Sequence, residues 1–254
     1  MLILTSPSKT LNTVVKNHIS DFHIPHFKKE ALEWVGILKR MDIPTLMNLM
    51  NVSEKLAKEN FDRYQKFSSD FTVENSFHAL LAFQGDVYQG LQADKLNDED
   101  LRYADHHIRI LSGLYGVLRP LDIMQPYRLE IGLGLKNKKG IDLYTFWRKK
   151  ITARLNEELK NYGYKQIINL ASNEYFKAVS APSINAEIYQ VQFKEYKNGK
   201  LQFFSFHAKK ARGLLMRHII VNRLSEAEQI RSFNIEGYKY SDEYSSVRNY
   251  LFIR

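Results

Sequence analysis

The sequence of 254 residues contains no cysteine. This excludes disulfides, thiolate-bound zinc, thiolate-bound iron–sulfur clusters and any mechanism based on a reactive thiol. No apolar stretch is long enough to span a bilayer, and the initial run Met1-Leu2-Ile3-Leu4 reaches Pro7 and Lys9 too early for a signal peptide. We therefore expect a cytoplasmic protein with no membrane partner.

Familiar nucleotide and metal motifs are also missing. There is no GxxxxGK[ST] loop, no GxGxxG between a strand and a helix, and no Glu-x-x-His pair of the di-iron type. The paired histidines, His23 with His26 and His106 with His107, have no carboxylates at ligand spacing, so we interpret them as structural or solvent-exposed. The sequence predicts no cofactor and no dedicated metal site.

Composition favours a folded protein with anionic partners. Hydrophobic residues make up 44% of the chain and charged residues 26%, which is ordinary for a soluble globular protein. The formal net charge is +9. Such a charge favours nucleic acid first and an acidic membrane surface second.

Strands and helices alternate along the chain. Apolar or alternating runs predict strands at residues 1–4, 166–170, 187–193, 201–206 and 250–253. The Asn198-Gly199 pair between two of these runs is a strong hairpin signal. The pattern predicts an α/β or α+β protein with a central mixed sheet and surrounding helices, and one domain over residues 1–254, without internal repeats.

Capping residues place several helices. Apolar spacing predicts helices between residues 28 and 67, with a break at residues 51–53. Asn97 and Asp142 are expected N-caps, and the helix after Asp142 is expected to end at Gly163. Thr72 is expected to cap a helix carrying residues 77–81, and Ser225 with Glu228 is expected to form a capping box.

A basic helix is predicted over residues 208–224, directly after a strand. At 100° per residue its cations fall within an arc of roughly 160°, while apolar residues fill the other side; the cations are Lys209, Lys210, Arg212, Arg217 and Arg223. A solvated helix surface and an anion-binding surface both explain this pattern.

Residues 111–132 combine cations with acids and tyrosines on irregular backbone. They include Arg119, Asp122, Tyr127, Arg128 and Glu130. Guanidinium groups bind phosphate through two hydrogen bonds and aromatic rings stack on bases, so such loops suit a nucleic-acid cleft. The alternative is that the acids neutralise these arginines and fix the loops. Similar mixtures occur at residues 83–90 and 169–177.

Six motifs in this order resemble the bacterial YaaA peroxide stress resistance family. They are Ser6-Pro7-Ser8-Lys9-Thr10, Gly85-Asp86-Val87-Tyr88, residues 111–132, Leu143-Tyr144 with Phe146-Trp147, residues 169–177, and Ala208-Lys209-Lys210-Ala211-Arg212-Gly213. The resemblance implies a cytoplasmic DNA-binding protein that helps cells survive hydrogen peroxide and is associated with lower intracellular iron. It also implies a positively charged cleft and a helix-hairpin-helix element.

We place that element at residues 43–67, with its hairpin at Asn51-Val52-Ser53. Amides at the start of the second helix would bind a backbone phosphate without reading sequence. Lys55 and Lys58 flank this hairpin, which lacks the glycine that normally permits close phosphate approach.

The leading hypothesis is a protein that binds double-stranded or structured DNA without sequence preference and needs no obligatory protein partner. Arg217 and the helix-hairpin-helix lysines would assist a cleft lined by Lys9, Arg119, Arg128, Lys177, Lys209, Lys210 and Arg212.

One alternative is a DNA repair or base-processing enzyme that uses the same cleft, with candidate catalytic residues Asp86, Tyr127, Glu130 and Glu174. Another is direct iron sequestration by scattered His, Asp and Glu side chains.

Overall fold

A computed structural model describes residues 1–14 and 19–254. Its centre is an eight-stranded mixed sheet with the order β11-β12-β9-β8-β1-β5-β6, to which β10 adds by pairing with β9. The strands are β1 Leu2–Thr5, β2 Thr10–Leu11, β3 Phe77–His78, β4 Phe83–Gln84, β5 Ile108–Ser112, β6 Gly116–Leu118, β7 Ile123–Met124, β8 Gln166–Asn169, β9 Glu187–Lys197, β10 Lys200–Gln202, β11 Lys239–Tyr240 and β12 Asn249–Ile253.

Helices surround this sheet and account for most connections between its strands. They are α1 Lys28–Leu38, α2 Ile43–Met50, α3 Glu54–Lys66, α4 Ala79–Ala82, α5 Asp86–Leu91, α6 Asp98–His107, α7 Leu143–Tyr162, α8 Asn173–Phe176 and α9 Ser205–Val221. The predicted α/β class and central mixed sheet are confirmed. Within the described residues, no helix has both the length and the apolarity needed to cross a membrane.

Strand β1 lies in the middle of the sheet. It pairs in parallel with β5 on one side and β8 on the other. Its residues Leu2, Ile3 and Leu4 are fully buried, as expected for a parallel strand covered on both faces. The chain leaves β1 towards β5 and leaves β8 in the opposite direction, towards β9. The carboxyl ends of β1 and β8 therefore border a topological switch point, where open α/β sheets bind ligands.

Local signals place most helix ends correctly. Asn97 and Asp100 form a capping box at the start of α6. The Asp142 carboxylate accepts a 2.7 Å hydrogen bond from the Thr145 amide, and Gly163 ends α7 with a φ of 70°. The predicted hairpin turn is also confirmed, since Asn198 and Gly199 both have positive φ.

Helices α2 and α3 are joined by the short turn predicted at residues 51–53. Asp42 caps α2 by accepting a 2.9 Å hydrogen bond from the Thr45 amide. Asn51 ends α2 in the left-handed conformation, with a φ of 51°. Asparagine tolerates this conformation better than most residues, which explains how the turn forms without glycine.

Three local predictions are wrong. Thr72 does not cap a helix, because the Asn75 side chain accepts from the Thr72 amide to form a turn and residues 77–78 pair with β7. The cap predicted at Ser225 lies at Glu226, which precedes a 3-10 helix, Ala227–Ser232. Strand β10 ends at Gln202 because the chain turns into α9, which begins earlier than predicted and ends before Arg223.

Candidate functional site

A cavity of about 340 Å³ opens at the carboxyl ends of β1 and β8. Its walls come from the loop after β1, the start of α5, the segment after β8, and two side chains of α9. The lining residues are Ser6, Pro7, Ser8, Lys9, Gln84, Gly85, Asp86, Val87, Tyr88, Leu170, Ser172, Glu174, Tyr175, Lys209 and Arg212. We call this cavity the switch-point pocket.

Two serines tie the strand ends together beneath the pocket. The Ser172 amide donates a 2.8 Å hydrogen bond to the Ser6 hydroxyl oxygen, and the two hydroxyl oxygens are 3.3 Å apart. The Tyr88 hydroxyl donates to the Ser6 carbonyl oxygen at 3.0 Å. These bonds fix β1, β8 and α5 relative to one another.

Helices α5 and α9 approach each other backbone to backbone. A Cβ at Gly213 would lie 1.8 Å from the Val87 carbonyl oxygen, and a Cβ at Gly90 would lie 2.2 Å from the Lys210 carbonyl oxygen. Only glycine permits this approach. It brings the Asp86 carboxylate to 3.9 Å from the Lys209 ammonium, with both groups on the pocket wall.

Glu130 is a buried carboxylate at the edge of the pocket. Its Oε1 lies 3.0 Å from both the Lys9 ammonium and an Arg128 guanidinium nitrogen. Its Oε2 is buried without a hydrogen-bond partner among the described residues. Lys9 remains largely exposed, with 65% of its side chain accessible. Glu130 therefore holds Lys9 at the pocket while leaving it open to solvent.

Arg212 differs in its partners from Lys9 and Lys209, which both have a carboxylate nearby. Within residues 1–14 and 19–254 its guanidinium has no ion-pair or hydrogen-bond partner, and its Nε is buried. Burial lowers the pKa of this guanidinium, but an arginine side chain still stays protonated. An unpaired, partly desolvated cation on a pocket wall favours an anionic ligand.

Two tyrosines, Tyr88 and Tyr175, line the pocket. Burial raises the pKa values of Tyr88 and Tyr175 well above their ordinary value. Tyr127 is also buried; its phenol shares a 2.6 Å hydrogen bond with the Ser112 hydroxyl, and burial raises its pKa. These phenols therefore stay protonated at neutral pH, so they can donate hydrogen bonds or contact a ring but do not serve as bases.

The four candidate catalytic residues occupy different positions. Asp86 and Glu174 line the pocket. Glu130 does not line the pocket but contacts Lys9, which does. Tyr127 is buried and does not line the pocket.

Arg119 lies apart from the pocket cations. Its guanidinium pairs with Asp105, which His23 also contacts at 3.2 Å. Burial acts to raise the pKa of Asp105, but the His23 hydrogen bond and the Arg119 charge outweigh it, so this pKa is lowered. Arg119 therefore serves first as the partner of a buried carboxylate.

The remaining predicted cations are also dispersed. Lys177 lines a separate groove with Arg148. Lys210 pairs with Glu236 at 2.5 Å. Arg217 donates to the Leu91 and Gln92 carbonyl oxygens at 3.1 and 3.0 Å, so it caps the end of α5.

Lys55 and Lys58 are exposed on the first turns of α3. Tyr64, further along this helix, donates a hydrogen bond to the Arg128 carbonyl oxygen. At about 1.5 Å per residue, Lys55 is on the order of 13 Å along the helix from Tyr64. The two lysines thus form a second basic position outside the pocket.

Three features were not predicted: the hydrogen bond between Ser6 and Ser172, the close approach of α5 and α9, and the pairing of Asp105 with Arg119. Gly90 and Gly213 carried a signal, because glycine inside a helix costs about 1 kcal/mol relative to alanine and often marks close backbone contact. Asp105 carried none, since its partner Arg119 lies on another element.

Comparison with known protein families supports the resemblance seen in the motifs. The family model described as peroxide stress protein YaaA matches residues 1–244. This span includes every residue that lines the switch-point pocket and nearly all of the central sheet. The chain belongs to the peroxide stress protein YaaA family.

Proposed function

We propose that this protein acts in the cytoplasm as a DNA-binding protein without sequence preference and protects the cell against hydrogen peroxide. The observation that carries the proposal is the convergence of Lys9, Lys209 and Arg212 on one pocket at the switch point. These cations come from the loop after β1 and from α9. The formal net charge of +9 supports long-range attraction to DNA.

Phosphate is the group that these cations fit best. Lysine and arginine side chains bind backbone phosphates, which are the same at every base pair. Binding through them is sequence-independent and weakens steeply as salt rises. Lys9 and Lys209 already have carboxylate neighbours, so Arg212 is the strongest anchor for a phosphate.

The α2–α3 pair supplies a second phosphate contact in this proposal. Helix α3 has 13 residues and begins after Ser53, with Lys55 and Lys58 exposed near its start. Free amides at a helix start attract phosphate, and the lysines strengthen that attraction. The pair would act as the helix-hairpin-helix element and hold the DNA backbone while the pocket engages a neighbouring part of it.

Protection against peroxide follows from covering DNA where iron-generated radicals attack it. Among the described residues, no three His, Asp or Glu side chains are grouped so that they could hold a metal ion. We therefore place the protein's own contribution on DNA, and an association with intracellular iron would follow indirectly.

The test is a salt titration of DNA binding. The double variant Lys209→Ala/Arg212→Ala should weaken binding to unrelated duplexes about equally and reduce the slope of log K against log salt by about one for each lost phosphate contact. Lys165→Ala is the matched control, because Lys165 is exposed at the amino end of β8, away from the pocket. A flat slope for the unmodified protein would contradict the proposal.

A second candidate function is the processing of an extruded base. It is favoured because Glu174 and Asp86 line the same pocket as Arg212, Lys209 and the tyrosines Tyr88 and Tyr175. An unpaired base could enter such a pocket and meet a carboxylate able to move a proton. Incubation with duplexes that carry an oxidised or mismatched base should then yield altered strands, and Glu174→Gln should abolish them. Unaltered strands would eliminate this candidate.

A further inference from the structure

Four exposed aromatic side chains surround the β9–β10 hairpin and the start of α9. They are Tyr196, Phe203, Phe206 and Tyr244, with relative exposures of 53%, 58%, 55% and 47%. We call them the aromatic surface. Large aromatic side chains dominate buried cores and interfaces, so their concentration in one exposed region indicates a binding surface.

Secondary structure places these side chains near one another. Tyr196 lies opposite Leu201 in the hairpin, and Phe203 directly follows β10. The Tyr196 hydroxyl donates to the Tyr244 hydroxyl at 3.3 Å. Phe206 is the second residue of α9, and its ring contacts the His207 ring edge to face at 5.7 Å.

Unpaired lysines accompany the aromatic rings. Lys194, Lys197 and Lys200 belong to the same hairpin, and none of them forms an ion pair within the described part of the chain. The Lys197 ammonium lies over the Phe204 ring, 5.3 Å from its centroid. Because successive side chains of a strand point to opposite faces, Lys194 shares the face of Tyr196, and Lys197 and Lys200 lie on the other face of the hairpin. The hairpin therefore offers exposed rings for stacking and positive charge on both faces for phosphate.

The aromatic surface adjoins the switch-point pocket. Phe206 and Lys209 are three residues apart on α9, so they are neighbours on the helix surface. Lys209 lines the pocket. A polyanion held at Lys209 can therefore continue onto Phe206 and the hairpin.

We infer that the aromatic surface binds unpaired DNA strands by base stacking, an inference that rests on the proposed DNA-binding function and defines its partner more closely. Bases in a duplex are stacked on one another, so only unpaired bases can lie on exposed rings. Aromatic side chains combined with lysines are typical of single-strand binding surfaces. Protein interfaces are depleted in lysine, which makes a protein partner a poorer fit.

The test compares single-stranded with double-stranded DNA. The double variant Phe203→Ala/Phe206→Ala should bind fluorescein-labelled oligothymidine, longer than a site of about 16 nucleotides, with an affinity reduced about 5-fold to 150-fold for each ring lost. Its affinity for a blunt duplex of equal length should not change. Phe22→Ala is the matched control, because Phe22 is 47% exposed and lies far from the hairpin. The next residue, His23, forms a backbone β-bridge with Asp122, which follows the edge strand β6 on the opposite side of the sheet.

A stacking signal provides an independent readout. In Phe203→Trp, oligothymidine should quench the fluorescence of the new indole, and the blunt duplex should not. Unchanged oligothymidine affinity in the double alanine variant, or no quenching in the tryptophan variant, would overturn the inference. Failure of the proposed function would look different: neither DNA form would respond to Lys209→Ala/Arg212→Ala, whatever the aromatic variants do.

Discussion

The Lys9 ammonium lies 3.0 Å from the carboxylate of Glu130, a residue that is almost completely buried. Glu130 also holds Arg128 at the same distance. One buried acid thus restrains two cations at the edge of the switch-point pocket, and its removal should change both stability and binding.

Glu130→Gln keeps a hydrogen-bond acceptor but removes the charge. We expect the free energy of unfolding to fall by about 1–3 kcal/mol, because Arg128 loses a charged hydrogen-bond partner. DNA affinity should rise at low salt, and the salt slope should steepen by up to about one as Lys9 becomes available to phosphate. Denaturant unfolding and salt-titrated binding measure the two effects. Glu33→Gln, at an exposed position of α1, should change neither.

Gly213→Ala tests the backbone contact between α5 and α9. The new methyl group would lie 1.8 Å from the Val87 carbonyl oxygen, so the helices must separate. We expect a loss of about 1–3 kcal/mol or more in the free energy of unfolding, together with weaker DNA binding as Lys209 moves. The control is Gly36→Ala in α1, where, apart from the neighbouring residues and the local helix backbone, no atom of the described residues lies within 4 Å of the added Cβ. That change should stabilise the protein by up to about 1 kcal/mol, and equal effects at the two glycines would contradict the contact.

Asp122→Asn should change the dependence of stability on pH. Burial raises the pKa of Asp122 from 3.8 to about 7, with Asp105 adding to the shift and Arg119 opposing it. Between these two values the folded protein holds a proton that the unfolded chain has released, so this carboxyl lowers stability as pH rises through that window. Asparagine does not titrate and can still accept the 2.8 Å hydrogen bond from the Arg119 amide.

The variant should therefore gain stability relative to the original protein as pH rises from about 4 to about 7, by about 1.4 kcal/mol for each unit of pKa shift. Urea unfolding at several pH values in this window measures the difference. His107 titrates in the same window, because burial lowers its pKa to about 4, but it is common to both proteins and cancels. A constant difference across the window would show that Asp122 titrates normally.

Arg217→Met separates a structural arginine from a DNA-binding one. Arg217 donates two hydrogen bonds to carbonyl oxygens at the end of α5. Its loss should lower the free energy of unfolding by about 1–3 kcal/mol and leave the salt slope of DNA binding unchanged. Arg217→Lys retains the charge and should recover part of the stability. A smaller salt slope in the methionine variant would indicate that Arg217 contacts a DNA phosphate.

The sequence was sufficient for features that depend on neighbouring residues. Asp142 and Gly163 marked the ends of α7, and Asn198-Gly199 marked the hairpin, because caps and turns are set by local hydrogen bonds and by φ. Strands β1 and β8 were also predictable, since residues 1–4 and 166–170 read as buried strands.

The partners of the cations were not predictable. Helical periodicity placed Arg217 on the basic side of α9 but could not reveal the carbonyl oxygens of another helix beside it. Arg119 appeared equivalent to Arg128 in sequence, yet the buried Asp105 engages it. Such contacts depend on tertiary packing between elements distant in sequence, which composition and spacing do not encode.

The hydrogen bond between Ser6 and Ser172 also determines at what stage of synthesis the pocket can form. Ser6 and Ser172 are 166 residues apart, and the pocket is completed only by Lys209 and Arg212 of α9. During synthesis the ribosome releases Lys9 long before these partners emerge. A nascent or truncated chain therefore carries Lys9 without an assembled pocket, and the pocket forms only after α9 has folded against α5.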